Sequence, residues 1–376
     1  MMKTKIKFID LGTHYKSIRG EILEKFDEIS SRGDYILTEE LEKFEKNISN
    51  YCGTKYAAGV GNCTDALFLS LKALGIGSGD EVITAPNSFI STAGAIVASG
   101  ARPVFADVRN DYNIDPEIIE KTITKKTKAI IPVHLTGRSA DMTKIMEIAQ
   151  KRGLAVIEDA AQSIGAGYKN KRVGSFGIAG CFSLHPLKNL HAHGDGGLIT
   201  TSDDAFYEKL LKLRNHGLKN RDECELWGYN SRLDAIQAAI GNIKMKYIDK
   251  WAQRRREIAS MYKESLAEFA EMPEDKEYEE PVYHTFVIQS DNRDELRRYL
   301  AERGIETKIH YPIPIHLQQP AKALGYKKCD FPAAEAQAKK ILSLPIYPEL
   351  SNKQVEEVIN GVKSFYIGTH RNNSLF

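Results

Sequence analysis

Residues 154–201 read LAVIEDAAQSIGAGYKNKRVGSFGIAGCFSLHPLKNLHAHGDGGLITT. The apolar runs at 154–161, 178–184 and 196–201 have the length of buried strands. Working outward, EVITAP at 81–86, RPVFADV at 102–108 and AIIPVHLTG at 129–137 repeat that texture, rich in Val and Ile. Helical stretches at 64–74, 90–99, 115–124 and 141–152 lie among them, each bounded by Gly, Asp, Asn or Pro as a start or stop signal. Strands that alternate with helices imply an α/β fold, a mostly parallel sheet flanked by helices.

Upstream, Tyr15, Ile18, Ile22, Phe26 and Ile29 recur at spacings of three and four, one apolar stripe on a helix over 15–30, and residues 39–51 repeat the pattern. Past residue 245 the texture changes. A long charged helix, IDKWAQRRREIASMYKESLAEFA, leads through an acidic loop at 272–280 to a strand, VYHTFVIQ, and a helix, RDELRRYLAERG. The expected division is a large α/β domain over 1–245 and a small α+β domain over 246–376.

With 376 residues, 42% of them hydrophobic, the chain can build its core without disulfides or a structural metal. Its 52 Lys and Arg stand against 50 Asp and Glu, so the net charge of +2 supplies no broad basic field for nucleic acid or an anionic membrane. Cys52, Cys63, Cys181, Cys224 and Cys329 are odd in number, scattered and never spaced C-x-x-C, which fits a reducing cytoplasm. The N-terminus has no apolar leader core, and no stretch is apolar for the roughly 18 residues of a membrane span. A cytoplasmic protein without membrane or nucleic-acid partners is expected.

In an open parallel sheet the ligand crevice lies beyond the carboxyl ends of the strands, so polar residues placed directly after apolar runs carry the chemistry. In YAAGVGNCTDALFL a strand ends at Gly61 and a helix opens near Thr64 and Asp65, whose free N–H groups suit a phosphate. The plainer reading is a helix capped by Thr64 or Asp65. G-V-G-x-x-T is also a degenerate dinucleotide fingerprint, but its third Gly is missing and Asp80 and Glu81 sit in a turn, not at a strand end. Phe89, after the strand at 81–86, can stack on a flat cofactor or belong to the core. Asp159, after LAVI, needs a charged partner or hydrogen bonds. A protonated ring nitrogen would serve, and a helix cap would account for it equally. Gln162 follows three residues on.

Ser183 closes the strand before a loop in which Lys188 can be desolvated into a nucleophilic amine, although a lone Lys is ordinarily a solvated charge. Phosphate cradle, aromatic plate, ring-nitrogen carboxylate and amine are together what pyridoxal phosphate requires. His185, His191, His193 and Asp195 lack the regular spacing of metal ligands, and no metal is expected. His191 and His193 read either as donors to a substrate phosphate or hydroxyl, or as plain loop residues.

From FIDLGTHYKSIRGEI to SLPIYPELS the chain resembles the sugar aminotransferases of the DegT/DnrJ/EryC-type family, a branch of the fold-type I pyridoxal-phosphate enzymes. The resemblance implies that Lys188 forms the Schiff base, Asp159 partners the pyridinium nitrogen, Gln162 meets the ring hydroxyl and Phe89 stacks on the ring. It implies phosphate ligation by Thr64, Asp65 and Ser183, with Asn230 reaching in from a second subunit of a homodimer with shared active sites. Asn62-Cys63-Thr64 departs from the family's usual S-G-T, which bears on the tightness of the phosphate turn. The implied reaction takes an amino group from L-glutamate to a keto group of a nucleotide-linked sugar, for surface-glycan or amino-sugar biosynthesis, with G-D-G-G at 194–197 favouring carbon 3 over carbon 4.

Candidate substrate contacts are His310 and Tyr311 in IHYPIPIHLQ, Arg232 and His191, with Arg214, His216, Lys219 and Arg221 available for a diphosphate. Three alternatives stand beside this reading: a sugar dehydratase of the same family, which carries His in place of the lysine, a non-catalytic nucleotide-binding regulator, and a nicotinamide-dependent oxidoreductase.

Overall fold

The structure, a computed structural model, describes residues 4–373. Helices α1 (Leu11–Arg32) and α2 (Glu39–Cys52) lead into β1 (Tyr56–Val60), α3 (Cys63–Ala73), β2 (Glu81–Thr84), α4 (Ile90–Ser99), β3 (Arg102–Phe105) and α5 (Pro116–Thr122). There follow β4 (Thr127–Ile131), α6 (Met142–Arg152), β5 (Ala155–Asp159), the two-residue strands β6 (Gly167–Tyr168) and β7 (Lys171–Arg172), then β8 (Ala179–Ser183) and β9 (Gly197–Thr201). The strands at 81, 102, 129, 154, 178 and 196 and the helices between them therefore stand where the apolar pattern put them.

These strands make a seven-stranded sheet in the order β1-β9-β8-β5-β4-β2-β3. From β8 to β3 every neighbour is parallel, whereas β9 runs antiparallel to both β8 and β1. Alternation along each strand divides the core between two faces. Val82, Ala129, Ile131, Ile157, Cys181 and Ile199 pack with Leu67 and Leu71 of α3. Ile83, Ile130 and Val156 turn to Met142 and Ile145 of α6, and Phe182 and Leu198 turn to Phe44 and Ile48 of α2. Each such Leu or Ile contributes about 1.5–3 kcal/mol by leaving water. A charge introduced at fully buried Ile199 would undo that layer.

Helices α7 (Asp204–Arg214), α8 (Ala235–Met245) and α9 (Ile248–Leu266) connect to β10 (Glu279–Glu280), β11 (Phe286–Gln289), α10 (Arg293–Glu302), α11 (Pro332–Lys340), β12 (Ile341–Leu344) and α12 (Asn352–Asn373). Strands β11 and β12 pair antiparallel, and a separate core forms from Ile258, Tyr262, Phe286, Leu296, Leu344 and Val358. Ile6 joins that core and bridges in parallel to Ile305, so this residue packs with the C-terminal third of the chain. Among the described residues no helix is long and apolar enough to cross a membrane.

Candidate active site

Strand registers bring the polar residues to one edge. Gly197 pairs with Ser183 on one side and with Val60 on the other, so the turn after β1 lies beside the end of β8. A Cβ on Gly197 would lie 2.4 Å from Asn62 C and 2.8 Å from Cys63 N, so only glycine permits this approach.

Asn62 caps α3, its Oδ1 accepting from Asp65 N at 2.9 Å. Neither Thr64 nor Asp65 is the cap, because helical backbone already begins at Cys63. Asn in place of Ser preserves the capping oxygen. Asp65 is occupied twice, its N–H by Asn62 and its carboxylate by Ser231 Oγ at 2.6 Å, and that hydroxyl accepts from Gly61 N at 2.9 Å. What remains open to an anion are the N–H groups of Cys63 and Thr64, which meet no acceptor among the described residues. Asp65 thus helps hold the turn instead of offering its own groups. Its β1 strand pairs antiparallel at the sheet edge, which removes the parallel βαβ unit that a dinucleotide fingerprint needs.

Asp159 ends β5 and is 4% exposed. Thr92 donates to its Oδ2 at 2.7 Å and Ala161 N to its Oδ1 at 3.2 Å. Thr92 spends its one hydroxyl proton there, so the Ser88 hydroxyl, 3.0 Å away, is the donor to Thr92. Burial pushes the Asp159 carboxyl up, opposed by Thr92, Ala161 and the positive charge of Lys188. Among the described residues it forms no ion pair. Glu158 makes the contrast: wholly buried, it meets His134 at 3.0 Å and accepts from Gly174, Phe176 and Gly177 N–H groups at 2.7–2.9 Å. Every lone pair of that carboxylate serves the fold.

Lys188 sits in the loop between β8 and β9, half-buried, with its Nζ free of acceptors among the described residues. Desolvation lowers its ammonium, against the opposing pull of Cys63 and Asp159. The loop is clipped shut by Leu184 N to Gly196 O at 2.8 Å and Ala192 N to Leu184 O at 2.7 Å. Ser183 Oγ accepts from His185 N at 3.2 Å, which leaves its proton free to donate.

Gln162 accepts from Thr136 N at 2.8 Å and donates to Tyr311 Oη at 3.4 Å. The Tyr311 ring lies 5.6 Å from that of Phe89, which is 52% exposed directly before α4. Gln162, Tyr311 and Phe89 therefore meet at one place, and Phe89 is not a core residue. His310 Nδ1 meets Ser343 Oγ at 2.9 Å, and burial depresses the imidazole to about 4, so it is neutral at pH 7.

Other expected contacts stand elsewhere. Arg214 is buried in an ion pair with Glu45 and also donates to Gly59 O at 2.9 Å, so it is unavailable to a diphosphate. Lys219 faces Glu223 and Glu225 at 3.7 and 3.8 Å. Arg232 donates to Asn215 Oδ1 at 3.3 Å, and Asn230 is exposed in a bridge with Asn215. His191 is 6% exposed and turned onto the Lys188 carbonyl, not toward an open crevice. Thr92, Asn62 and Ser231 were missed in the sequence. Thr92 had a signal, since it lies one turn after Phe89 at the start of α4, while Ser231 is far from α3 along the chain and had none.

The residues fit pyridoxal phosphate: two open N–H groups and a hydroxyl beside a glycine cradle, a buried carboxylate without a cation, a desolvated amine and an exposed aromatic ring. The profile of the DegT/DnrJ/EryC1/StrS aminotransferase family matches residues 16–363. The dTDP-3-amino-3,6-dideoxy-alpha-D-galactopyranose transaminase of Aneurinibacillus thermoaerophilus is 45% identical over 362 residues, 96% of this chain and 99% of its own. A pleiotropic regulatory protein of Geobacillus stearothermophilus is 43% identical over 366 residues, 96% and 98% of the two chains. Among solved structures, S. venezuelae DesV in complex with a ketimine intermediate superposes with a TM-score of 0.94 at 40% identity, covering 96% of this chain and 98% of that one.

Proposed function

This chain belongs to the DegT/DnrJ/EryC1/StrS aminotransferase family, and on that premise we propose that it carries an amino group from L-glutamate to the keto group at carbon 3 of a nucleotide-linked sugar, working as a homodimer. It is a pyridoxal-phosphate-dependent aminotransferase. The observation that carries the reading is Asp159, a buried carboxylate with only neutral hydrogen-bond donors, on the same sheet edge as Lys188 and the open start of α3. Carbon 3 is supported by Gly194-Asp195-Gly196-Gly197 and by the 3-amino sugar in the name of the Aneurinibacillus relative.

Pyridoxal phosphate, when bound, supplies a carbonyl that condenses with amines and a ring that takes up the electron pair left when a proton departs from the adjoining carbon. Cys63 and Thr64 N–H groups and the Ser183 hydroxyl would hold its phosphate, with Asn230 of the partner subunit closing that site. Asp159 would hold the proton on the ring nitrogen, and the ion pair would relieve its own burial. Phe89 would stack on the ring and Gln162 would meet its hydroxyl. Lys188, its ammonium lowered by desolvation, would hold the cofactor by condensing its amine with the carbonyl and, when free, would serve as the base and acid that moves the proton of the donor's α-carbon. Donor and acceptor would use the same site in turn, so ping-pong kinetics are expected. Tyr311 and neutral His310 would be contacts for the sugar, and Arg232, which now donates to Asn215, would have to leave it to meet the diphosphate.

Absorption spectra with added pyridoxal phosphate, before and after L-glutamate, test this directly. A visible band that bleaches on glutamate addition, and that Lys188→Ala lacks, is the expected result. Its absence from the wild type overturns the reading. Offering 3-keto and 4-keto sugars linked to dTDP or UDP to the aminated form then fixes position and nucleotide. The regulator reading draws on the name of the Geobacillus relative; it would stand if Lys188→Ala kept its biological effect. Lys188 itself opposes the dehydratase reading.

A further inference from the structure

Lys244, in the last turn of α8, is wholly buried. An ammonium in such a place is costly where leucine or methionine would pack, unless a partner uses it. Its Nζ donates to a single carbonyl, that of His191, at 2.8 Å. His191 in turn sets its Nδ1 2.9 Å from the carbonyl oxygen of Lys188. A carbonyl only accepts, so Nδ1 carries the proton and the ring is the neutral tautomer that burial also favours. Two consecutive bonds thus run from α8 through one residue to the main chain of Lys188. Gln237, also on α8, accepts from His193 N at 2.8 Å, and the ring of His14 packs 4.9 Å from that of His191.

We propose that Lys244 and His191 are positioning residues for Lys188. They fix its carbonyl and so the direction in which its side chain leaves the loop, which keeps Nζ aimed along the Asp159 edge when the amine is free to move a proton. Inside the loop that Leu184 and Ala192 clip shut, the Lys188 N–H meets the His185 carbonyl at 2.8 Å and the His191 ring takes the Lys188 carbonyl, while Lys244 ties His191 to α8. His191 serves the reaction by holding the Lys188 main chain within the loop, not as a substrate contact. This rests on the reading of Lys188 given above.

The test uses Lys244→Met, which keeps length and apolar packing but loses the donor, with His191→Leu and His191→Asn, the last retaining an N–H near the position of Nδ1. Amide hydrogen exchange over 184–194 is measured on the cofactor-free chain. The pH midpoint of the visible band and the single-turnover rate with L-glutamate are measured with pyridoxal phosphate bound. Lys244→Met and His191→Leu are expected to speed exchange by about tenfold, to shift the midpoint and to slow the half-reaction by roughly 10–100-fold with little change in KM. His191→Asn recovers most of each. Wild-type exchange and an unshifted midpoint in both Lys244→Met and His191→Leu overturn the proposal. If circular dichroism shows Lys244→Met unfolded, His191→Leu against His191→Asn decides on the same readouts. A visible band retained by Lys188→Ala sinks the role of Lys188 itself, and the assignment of positioning residues with it, whatever the exchange rates show.

Discussion

Asp159 and Glu158 are adjacent carboxylates with opposite employment, and the difference is a count of donors. Glu158 is saturated by one imidazole and three backbone N–H groups, whereas Asp159 has Thr92 and one N–H and keeps accepting capacity toward the sheet edge. Burial raises the Asp159 pKa above its ordinary 3.8, so the folded chain holds more protons than the unfolded one just above that value. Stability of the cofactor-free protein therefore falls as pH rises through that range. Asp159→Asn is expected to remove this fall in thermal melts and to slow the glutamate half-reaction by about 100-fold or more in stopped-flow absorbance. Thr92→Val deletes a hydrogen bond to a charged group, worth about 1.5–3 kcal/mol. A half-reaction about tenfold slower, restored by Thr92→Ser, is the outcome to look for. If Thr92→Val were as fast as wild type, Thr92 would have no hand in holding the carboxylate.

At the scale of elements, the start of α3 and the end of α8 carry the burden. Asn62→Ala removes a cap and should lower stability by about 1 kcal/mol in denaturant titrations, with weaker binding of pyridoxal phosphate because the Cys63 and Thr64 N–H groups lose their fixed direction. Asn62→Ser should recover both. On α8, burial depresses Lys244 to about 7 from 10.5. Between those values the unfolded chain binds the extra proton, so stability rises with pH across that window, by at most about 1.4 kcal/mol per unit. In Lys244→Met that rise should be missing from melts taken between pH 7 and 10; a slope equal to wild type would show that Lys244 is not the group responsible.

The molecule as a whole leaves large apolar side chains in water: Phe26 at 51%, Tyr35 at 46% and Trp227 at 96% exposure. On the proposed function a second copy of the chain would cover part of that surface and bring its Asn230 to the phosphate site. Sedimentation equilibrium should give a dimer. Inactive Lys188→Ala and weakened Asn230→Ala chains, mixed in equal amounts and allowed to exchange, should regain roughly a quarter of wild-type activity, since about half of the dimers are hybrids and one of the two hybrid sites draws both intact residues. No recovery on mixing would place Asn230 outside a shared site.

Local pattern alone determined the strand and helix alternation, the sheet edge on which Asp159, Ser183 and Gly197 fall, and Lys188 as the amine beside it. Those readings depend on periodicity and on which polar residue follows an apolar run, both of which act over a few residues. Tertiary structure decided the rest. Thr92 reaches Asp159 across 67 positions and Arg214 is withdrawn from solvent by Glu45 across 169, while Lys244 meets the His191 carbonyl across 53. Nothing in the type or spacing of those residues names the partner. An Arg in a basic run looks the same whether it faces a diphosphate or a buried glutamate, because the choice is made by which helix packs over which strand and by how much water that packing removes.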